Sequence, residues 1–177
     1  MPLHFHAAPW STALKLTSAL GTLLIAVVGY AAYRAISTPF GFTYYFGLGI
    51  ALVPSAILAL SLLFSVTGYV VDGSDLCIQR LFWHTRIPLD GLSRFWLEPT
   101  ACKGSMRIIG NAGLFSFTGL YQSPILGRYR LFATDLAQSV VLVLPKRVVV
   151  VTPAVPRAFV DHLRHLFPLA HVGSEGG

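Results

Sequence analysis

Two histidine-containing segments are the places where this sequence has the residue types to bind a metal ion. His162 and His165 are three residues apart near the C-terminus, beside Asp161, and His4 and His6 form an H-x-H pattern near the N-terminus. Imidazole and carboxylate groups are common zinc ligands. The C-terminal histidines fall on the polar side of a predicted helix, however, where exposure to solvent is the simpler interpretation. Neither segment is predicted to hold a metal.

No segment carries a recognisable catalytic pattern. Serine, histidine and aspartate all occur, but the G-x-S-x-G and H-E-x-x-H motifs do not. Cys77 and Cys102 lack a C-x-x-C pattern or a metal-ligand spacing, and in a cytoplasmic domain we expect them to stay reduced. The sequence therefore predicts a protein that is not an enzyme and needs no cofactor.

The segment 110-GNAGLFSFTGLYQSPILG-127 raises the question of a phosphate-binding loop, because it contains four glycines. It has neither the G-x-x-x-x-G-K-[ST] nor the G-x-G-x-x-G pattern that such loops require. The residues between its glycines alternate as they do in a strand. We therefore expect Gly110 and Gly113 in a tight turn, Gly119 at a bulge or bend of a strand, and Gly127 in the next turn.

The elements that position these residues begin with two long uncharged runs. Of the 177 residues, 54% are hydrophobic and 11% are charged, and no charged residue occurs in 16–33 or 35–71. A bilayer core needs about 20 helical residues, and 37-STPFG-41 is typical of a turn. The sequence predicts an N-terminal tail (1–12) and an uncleaved transmembrane helical hairpin (13–67), with helices at about 13–35 and 42–66.

Small residues recur every fourth position on both predicted helices, and they mark a face that another helix can approach closely. They either pack the two helices together within the chain or form the interface of a homo-oligomer. Neither uncharged run holds an ionisable Asp, Glu, Lys or Arg, which argues against a transporter and favours an anchor. The helix-packing candidates are Ser18, Thr22, Ala26, Gly47, Ala51, Ser55 and Ala59.

The basic residues that follow the second helix predict the orientation. Arg80, Arg86 and Arg94 come soon after it, and under the positive-inside tendency they place the following domain in the cytoplasm. Two spans then put both termini on the cytoplasmic side of a multi-pass membrane protein.

The rest of the chain changes to short β-rich runs. The Asp72-Gly73 pair predicts a hairpin, and about seven antiparallel strands are expected before an amphipathic helix over 156–167, which has Pro156 in its first turn. We place this domain at 68–168 and expect a disordered tail over 169–177. The fold class is thus membrane-anchored α+β, with a seven-stranded β-barrel or sandwich capped by a C-terminal α-helix.

Several motifs of this region resemble one known family. They are Y-V-V-D-G-S-D-L, R-I-P-L-D-G-L, G-N-A-G-L-F-S-F-T-G followed by I-L-G-R-Y-R-L-F-A-T-D, and V-V-V-T-P-A-V-P-R-A-F-V. The chain resembles the bacterial PH-domain (pleckstrin-homology-like) family of small membrane proteins, over roughly 66–167. The resemblance implies a PH-like fold of two bent sheets with a helical cap. It implies a fold more than a function, and it places the protein in the bacterial inner (cytoplasmic) membrane.

A PH-like fold suggests binding of a lipid or a protein. Eukaryotic lipid-binding relatives use a basic loop between the first two strands, but here that loop is the acidic 72–75. We expect instead a binding or scaffold module that meets an unidentified protein partner or the anionic membrane surface. An accessory subunit of a membrane enzyme or transporter is the alternative, and the sparse basic residues exclude nucleic acid. The membrane-surface candidates are Arg80, Trp83, Arg86, Arg94, Lys103 and Arg107.

Overall fold

A computed structural model describes residues 3–35 and 41–172, and these ranges contain eleven strands and three α-helices. The helices are α1 (Thr12–Ala35), α2 (Phe42–Leu63) and α3 (Pro156–Leu166), and a 3-10 turn covers Leu136–Gln138. The strands are β1 (Leu3–His6), β2 (Val66–Asp72), β3 (Asp75–Arg80), β4 (His84–Pro88), β5 (Arg94–Leu97), β6 (Met106–Leu114), β7 (Ser116–Ser123), β8 (Gly127–Ala133), β9 (Val140–Leu144), β10 (Arg147–Val151) and β11 (His171–Val172).

As predicted, two long apolar helices precede the β-rich region. By length and composition both are able to cross a bilayer, over Thr12–Arg34 and Tyr44–Leu63, and only 11% and 0% of these windows are buried by the rest of the chain. The helices pack against each other and in part against β6, and they leave most of their large apolar side chains exposed. The predicted turn 37–41 lies mostly outside the described residues. The second helix ends at Leu63 rather than at 66, because β2 begins at Val66.

The helix pair is inserted between two strands that are partners in the same sheet. Residues 3–6, which the sequence analysis assigns to an N-terminal tail, form β1 and pair antiparallel with β2, from Leu3 opposite Val71 to His6 opposite Gly68. Strand β1 is only four residues long, and its partner follows about 60 residues later, so local pattern does not reveal it. The chain therefore leaves and re-enters one sheet through the two helices.

The strands form two sheets, in the orders β1-β2-β3-β4 and β11-β5-β9-β10-β8-β7-β6. The prediction of seven antiparallel strands is corrected in number and in direction. Ten strands have four residues or more, β11 has two, and the pairs β10–β8 and β11–β5 are parallel. Strand β6 was missed because Gly110, Asn111 and Gly113 indicated a turn.

The main hydrophobic core lies between the two sheets and beneath α3. Its members include Tyr69, Ile78, Phe95, Leu142 and Phe159, all fully buried. Helix α3 buries Phe159, Val160 and Leu163 on one face, and Pro156 starts it. The structure is thus a two-sheet sandwich with a C-terminal helix, as the sequence predicted.

The two paired glycines of the 110–127 segment match the prediction only in part. Gly110 does not lie in a turn but lies within β6, directly opposite Gly119 of β7. Both have positive φ, 127° and 143°, and a Cβ on Gly119 would lie 2.2 Å from the carbonyl oxygen of Ile109. The two strands approach so closely that no side chain fits between them. Gly119 is at a strand distortion, as expected, and Gly127 follows the 124–126 turn.

The tail predicted to be disordered, 169–177, contains the short strand β11 at His171–Val172. The N–H of His171 donates to the carbonyl of Ser93 at 2.9 Å, and His171–Val172 pairs with β5. Residues 173–177 lie outside the described part of the chain.

Candidate functional site

A cavity of about 710 Å3 lies between the last turns of α2 and the β6–β8 end of the larger sheet. Its volume falls within the range of about 300–1,000 Å3 that is usual for small-molecule sites. The helix contributes Ile57, Leu60 and Ser61, and Phe64 follows directly after its last residue. We name this space the foot cavity, because it lies where α2 joins the β domain.

Sheet topology explains why this space is open. The four-stranded sheet is too narrow to cover the whole face of the seven-stranded sheet. The β6 end of the larger sheet contacts α1 and α2 instead. The strand register determines which residues form the floor of the cavity. Ile109 of β6 lies opposite Leu120 of β7, and Leu120 lies opposite Arg130 of β8. Residues paired directly across neighbouring strands share a face of the sheet. Thr118 and Phe132 form the next row of the floor.

Three arginines line the foot cavity, and each comes from a different strand: Arg80 from β3, Arg107 from β6 and Arg130 from β8. In the described part of the chain, none of them has a carboxylate oxygen within 4.0 Å, since the ion pairs found there join Arg86 to Asp75 and Arg164 to Asp161. The rest of the lining is apolar or uncharged. The cavity therefore carries uncompensated positive charge.

Arg80 is the most firmly positioned of the three. Its guanidinium donates to the carbonyl of Phe64 and, at 3.2 Å, to Thr85 Oγ1. Its Cζ lies 5.3 Å from the ring centroid of Phe64 and 5.6 Å from that of Phe132, within cation–π range. Burial lowers the pKa of Arg80 below its usual value, because a desolvated cation is less stable. The side chain stays charged but lacks part of its hydration.

The membrane-surface candidates divide into two groups. Arg80 and Arg107 line the foot cavity, and Trp83 packs edge-on against Phe64 at the end of α2, with ring centroids 5.0 Å apart. The others lie away from it.

Arg86 pairs with Asp75 across β3 and β4, its Nε 3.7 Å from Asp75 Oδ2. Arg94 on β5 and Lys103 in the 98–105 loop are exposed. The sequence analysis missed Arg130, although the alternation of charged and aromatic residues in 128-RYR-130 could have placed it on the outer face of a strand, where the structure has it exposed.

The small-residue candidates of α1 and α2 also divide into two groups, one buried or half-buried and one exposed. Ser18 and Gly47 are buried and Ala51 is half-buried, whereas Thr22, Ala26, Ser55 and Ala59 are exposed. Steps of four residues advance about 40° around a helix on each repeat, so such a stripe drifts away from a packed face. Apart from Gly29, the less exposed residues of α1 instead follow steps of three and four: Leu14, Ser18, Gly21, Ile25, Val28 and Ala32.

Ser18 contacts the β domain. Its hydroxyl donates to the carbonyl of Gly113 at 3.3 Å and accepts from the N–H of Phe115 at 2.9 Å. Thr17 Oγ1 donates to the same Gly113 carbonyl at 2.6 Å. These bonds fix the β6–β7 turn against α1, so the domain and the helix pair are joined by side-chain contacts in addition to the chain itself.

No group of three or more His, Cys, Asp or Glu that could hold a metal ion occurs among the described residues. His162 differs from the expectation of a solvated face. Its ring lies 5.9 Å from that of Phe5 in β1, and its Nε2 is buried without a hydrogen-bond partner. The unexpected strand β1 therefore covers the side of α3 that the sequence left open. Cys77 and Cys102 are free thiols.

Comparison with known proteins agrees with this architecture. A family model described as "Bacterial PH domain" matches residues 67–167, more than half of the chain. No curated protein and no solved structure matches the chain.

Proposed function

Because this chain belongs to the bacterial PH domain family, we propose that it is a membrane-anchored binding module without catalytic activity. In this proposal α1 and α2 cross the bacterial cytoplasmic membrane, and the PH domain lies in the cytoplasm against the anionic headgroups. The exposed apolar surface of both helices supports the anchoring role. The pairing of β1 with β2 supports placing the N-terminal strand on the same side of the membrane as the domain.

The observation that carries the proposal is the position of the positive charge. Arg80, Arg107 and Arg130 line the cavity at the end of α2, next to Trp83. Where a helix leaves the bilayer, each basic side chain near anionic headgroups contributes about 1 kcal/mol. Tryptophan is enriched at the same depth. The domain's side facing the helices therefore has the composition of a membrane-contact surface.

Anchoring and orientation are tested together by cysteine labelling of the full chain in cells. In a background with both native cysteines replaced by serine, Lys103→Cys is expected to resist a membrane-impermeant maleimide in intact cells and to react after lysis. Arg34→Cys, at the other end of α1, is expected to react in intact cells. Extraction of the protein by alkaline carbonate, or the reverse labelling pattern, contradicts the proposed arrangement.

Surface contact is tested by amide hydrogen exchange of the full chain in vesicles. With anionic lipid present, residues 80–86 are expected to exchange more slowly than in purely zwitterionic vesicles, and the difference is expected to fall as salt rises, because salt screens exposed charges. Equal exchange in the two kinds of vesicle contradicts contact with the anionic surface.

An accessory-subunit role is the second candidate, because Thr22, Ala26, Ser55 and Ala59 are exposed. Small side chains on an exposed helix face allow another membrane helix to approach. Purification in mild detergent from native membranes tests this role: it predicts a stoichiometric integral-membrane companion that is lost in Ala26→Leu and Ala59→Leu. A companion of the same mass identifies a second copy of this chain.

A further inference from the structure

We propose that the foot cavity binds one anionic phospholipid, with an acyl chain between α2 and the β6–β8 sheet and the phosphate against Arg107 and Arg130. This inference rests on the proposed membrane anchoring and deepens it from contact with a surface to occupancy of a defined site. The proposed site is also distinct from the β2–β3 turn, where the acidic residues Asp72 and Asp75 would repel an anionic headgroup.

The apolar part of the cavity fits a hydrocarbon chain. Ile57, Leu60 and Phe64 line one side, and Ile109 and Leu120 line the other. Ile109 is 69% exposed and Leu60 55% exposed, so the described residues leave more than half of each side chain uncovered. Burial of such surface against an acyl chain gains about 25 cal/mol per Å2. The hydrophobic surface therefore favours an amphiphile over a polar metabolite.

The charged part fits a phosphate. The three lining arginines face no carboxylate within 4.0 Å in the described ranges, and no acidic residue lines the cavity. Guanidinium groups form strong, often bidentate hydrogen bonds with phosphate oxygens. Arg80 is already held by Phe64 and Thr85. Arg107 and Arg130 are exposed, and Arg107 makes one hydrogen bond, from Nη1 to the Gly110 carbonyl at 3.1 Å, so its other N–H groups remain available to a phosphate.

The position of the cavity selects a lipid from the surrounding bilayer as the occupant. Its outer wall is the last two turns of α2, and α2 is one of the two helices proposed to span the membrane. A lipid beside α2 can therefore place a chain in the cavity while its headgroup stays at the level of Trp83, which packs on Phe64 where the helix ends. A soluble ligand would have to displace lipid from the same wall.

Native mass spectrometry of the full chain in mild detergent tests the site, with phosphatidylglycerol and phosphatidylcholine as the probes. We expect a saturable 1:1 complex with phosphatidylglycerol and binding at least about tenfold weaker with phosphatidylcholine. Arg107→Gln combined with Arg130→Gln is expected to weaken phosphatidylglycerol binding by at least about tenfold. The matched control is Arg157→Gln with Arg164→Gln, which removes the same charge from exposed positions of α3 that do not line the cavity.

A second pair of variants tests the apolar half without changing charge. Leu60→Trp fills the cavity from an exposed position and is expected to abolish the 1:1 complex. Leu52→Trp, at a similarly exposed position of the same helix (57% against 55%), does not line the cavity and is expected to bind as the parent does.

The outcomes separate this inference from the proposed function. Equal binding of the two lipids, equal weakening by the two arginine pairs, or full binding by Leu60→Trp overturns the lipid site, while membrane anchoring and surface contact stand. Loss of membrane association in the labelling and carbonate experiments overturns the proposed function itself.

Discussion

At the scale of single residues, Tyr69 is the polar group that ties the two sheets together. It lies in β2, fully buried, and its hydroxyl donates to the carbonyl of Phe132 at 2.6 Å and accepts from the N–H of Thr152 at 3.1 Å. Burial raises the pKa of Tyr69 to about 12, so the hydroxyl stays protonated at every physiological pH. One side chain thus satisfies backbone groups after β10 and in β8.

Tyr69→Phe is expected to lower the free energy of unfolding by about 1–3 kcal/mol, because it leaves a buried N–H and a buried carbonyl short of a partner. Chemical denaturation of the full chain in detergent measures the change. Tyr129→Phe is the control: Tyr129 is also buried, but its hydroxyl bonds to half-exposed Ser105 at 2.7 Å, whose hydroxyl can turn to water. An equal loss in both variants would contradict the role assigned to Tyr69.

We expect His162 to make the stability of the domain depend on pH. Burial lowers the pKa of this imidazole, with a further contribution from His165, so the folded state favours the neutral ring. The unfolded state then binds more protons near pH 6.5, and stability rises with pH there. The contribution is present above the unfolded pKa and is lost as pH falls through the folded one.

His162→Leu is accordingly expected to flatten the fall in melting temperature between pH 7.5 and pH 5. The control variant is His84→Leu, which replaces an exposed histidine of β4 and should keep the parent's pH dependence. A parent-like slope in His162→Leu would show that other groups cause the acid sensitivity.

At the scale of elements, the close approach of β6 and β7 depends on two glycines. The strands form the floor of the foot cavity, and the paired Gly110 and Gly119 lie within it. A Cβ at Gly119 would also lie 2.8 Å from the Cα of Gly110. The obstructing atoms are backbone, which cannot move aside without breaking the strand pair.

Gly119→Ala is expected to cost about 3 kcal/mol or more, at the upper end of overpacking effects. Gly127→Ala is the matched control, because Gly127 has φ of 66° but no atom within 4 Å of an added Cβ. It should lose only about 1–2 kcal/mol, the cost of left-handed backbone in a residue with a side chain. Similar losses in thermal unfolding would attribute the effect to φ rather than to strand contact.

At the scale of the whole molecule, the PH domain is completed by a strand from before the helices. Strand β1 lies outside the 67–167 family match, yet Phe5 packs edge-on against Phe159 of α3 at 5.0 Å. The N–H of Ala8 donates to the carbonyl of Thr152 at 2.8 Å, and Thr134 Oγ1 donates to the Ala8 carbonyl at 2.6 Å. Both ends of the helix pair are therefore fixed to the same domain.

Phe5→Ala is expected to destabilise the PH domain by about 2 kcal/mol, less than a fully buried phenylalanine, because Phe5 is half-buried. Leu3→Ala, at a 43% exposed position of the same strand, should change stability by less than about 1 kcal/mol. The rate of proteolytic cleavage of the full chain at the β1–α1 junction is a second measure of how firmly β1 is held. Unchanged stability in Phe5→Ala would mean that β1 is dispensable.

The sequence by itself determined the features that depend on local pattern. Uncharged runs of helical length predicted α1 and α2, alternation and the Asp72-Gly73 turn predicted β2 and β3, and the apolar positions of 156–167 predicted α3. The motifs of 66–167 pointed to the family that the match confirms. These signals are local because each element's period is set by its own backbone geometry.

The tertiary structure decided everything that depends on distant segments. Three pairings are of this kind: β1 with β2 across the helices, β8 with β10 in parallel, and Gly110 with Gly119. The residues that they join have types that are also common in tails, other strands and turns, so the sequence alone does not reveal the pairings. The foot cavity also depends on contacts between segments that are distant in sequence. Arg80, Arg107 and Arg130 are separated in sequence, and only strand order and the position of α2 bring them to one space, because a sheet's partners are chosen by packing and not by neighbouring residues.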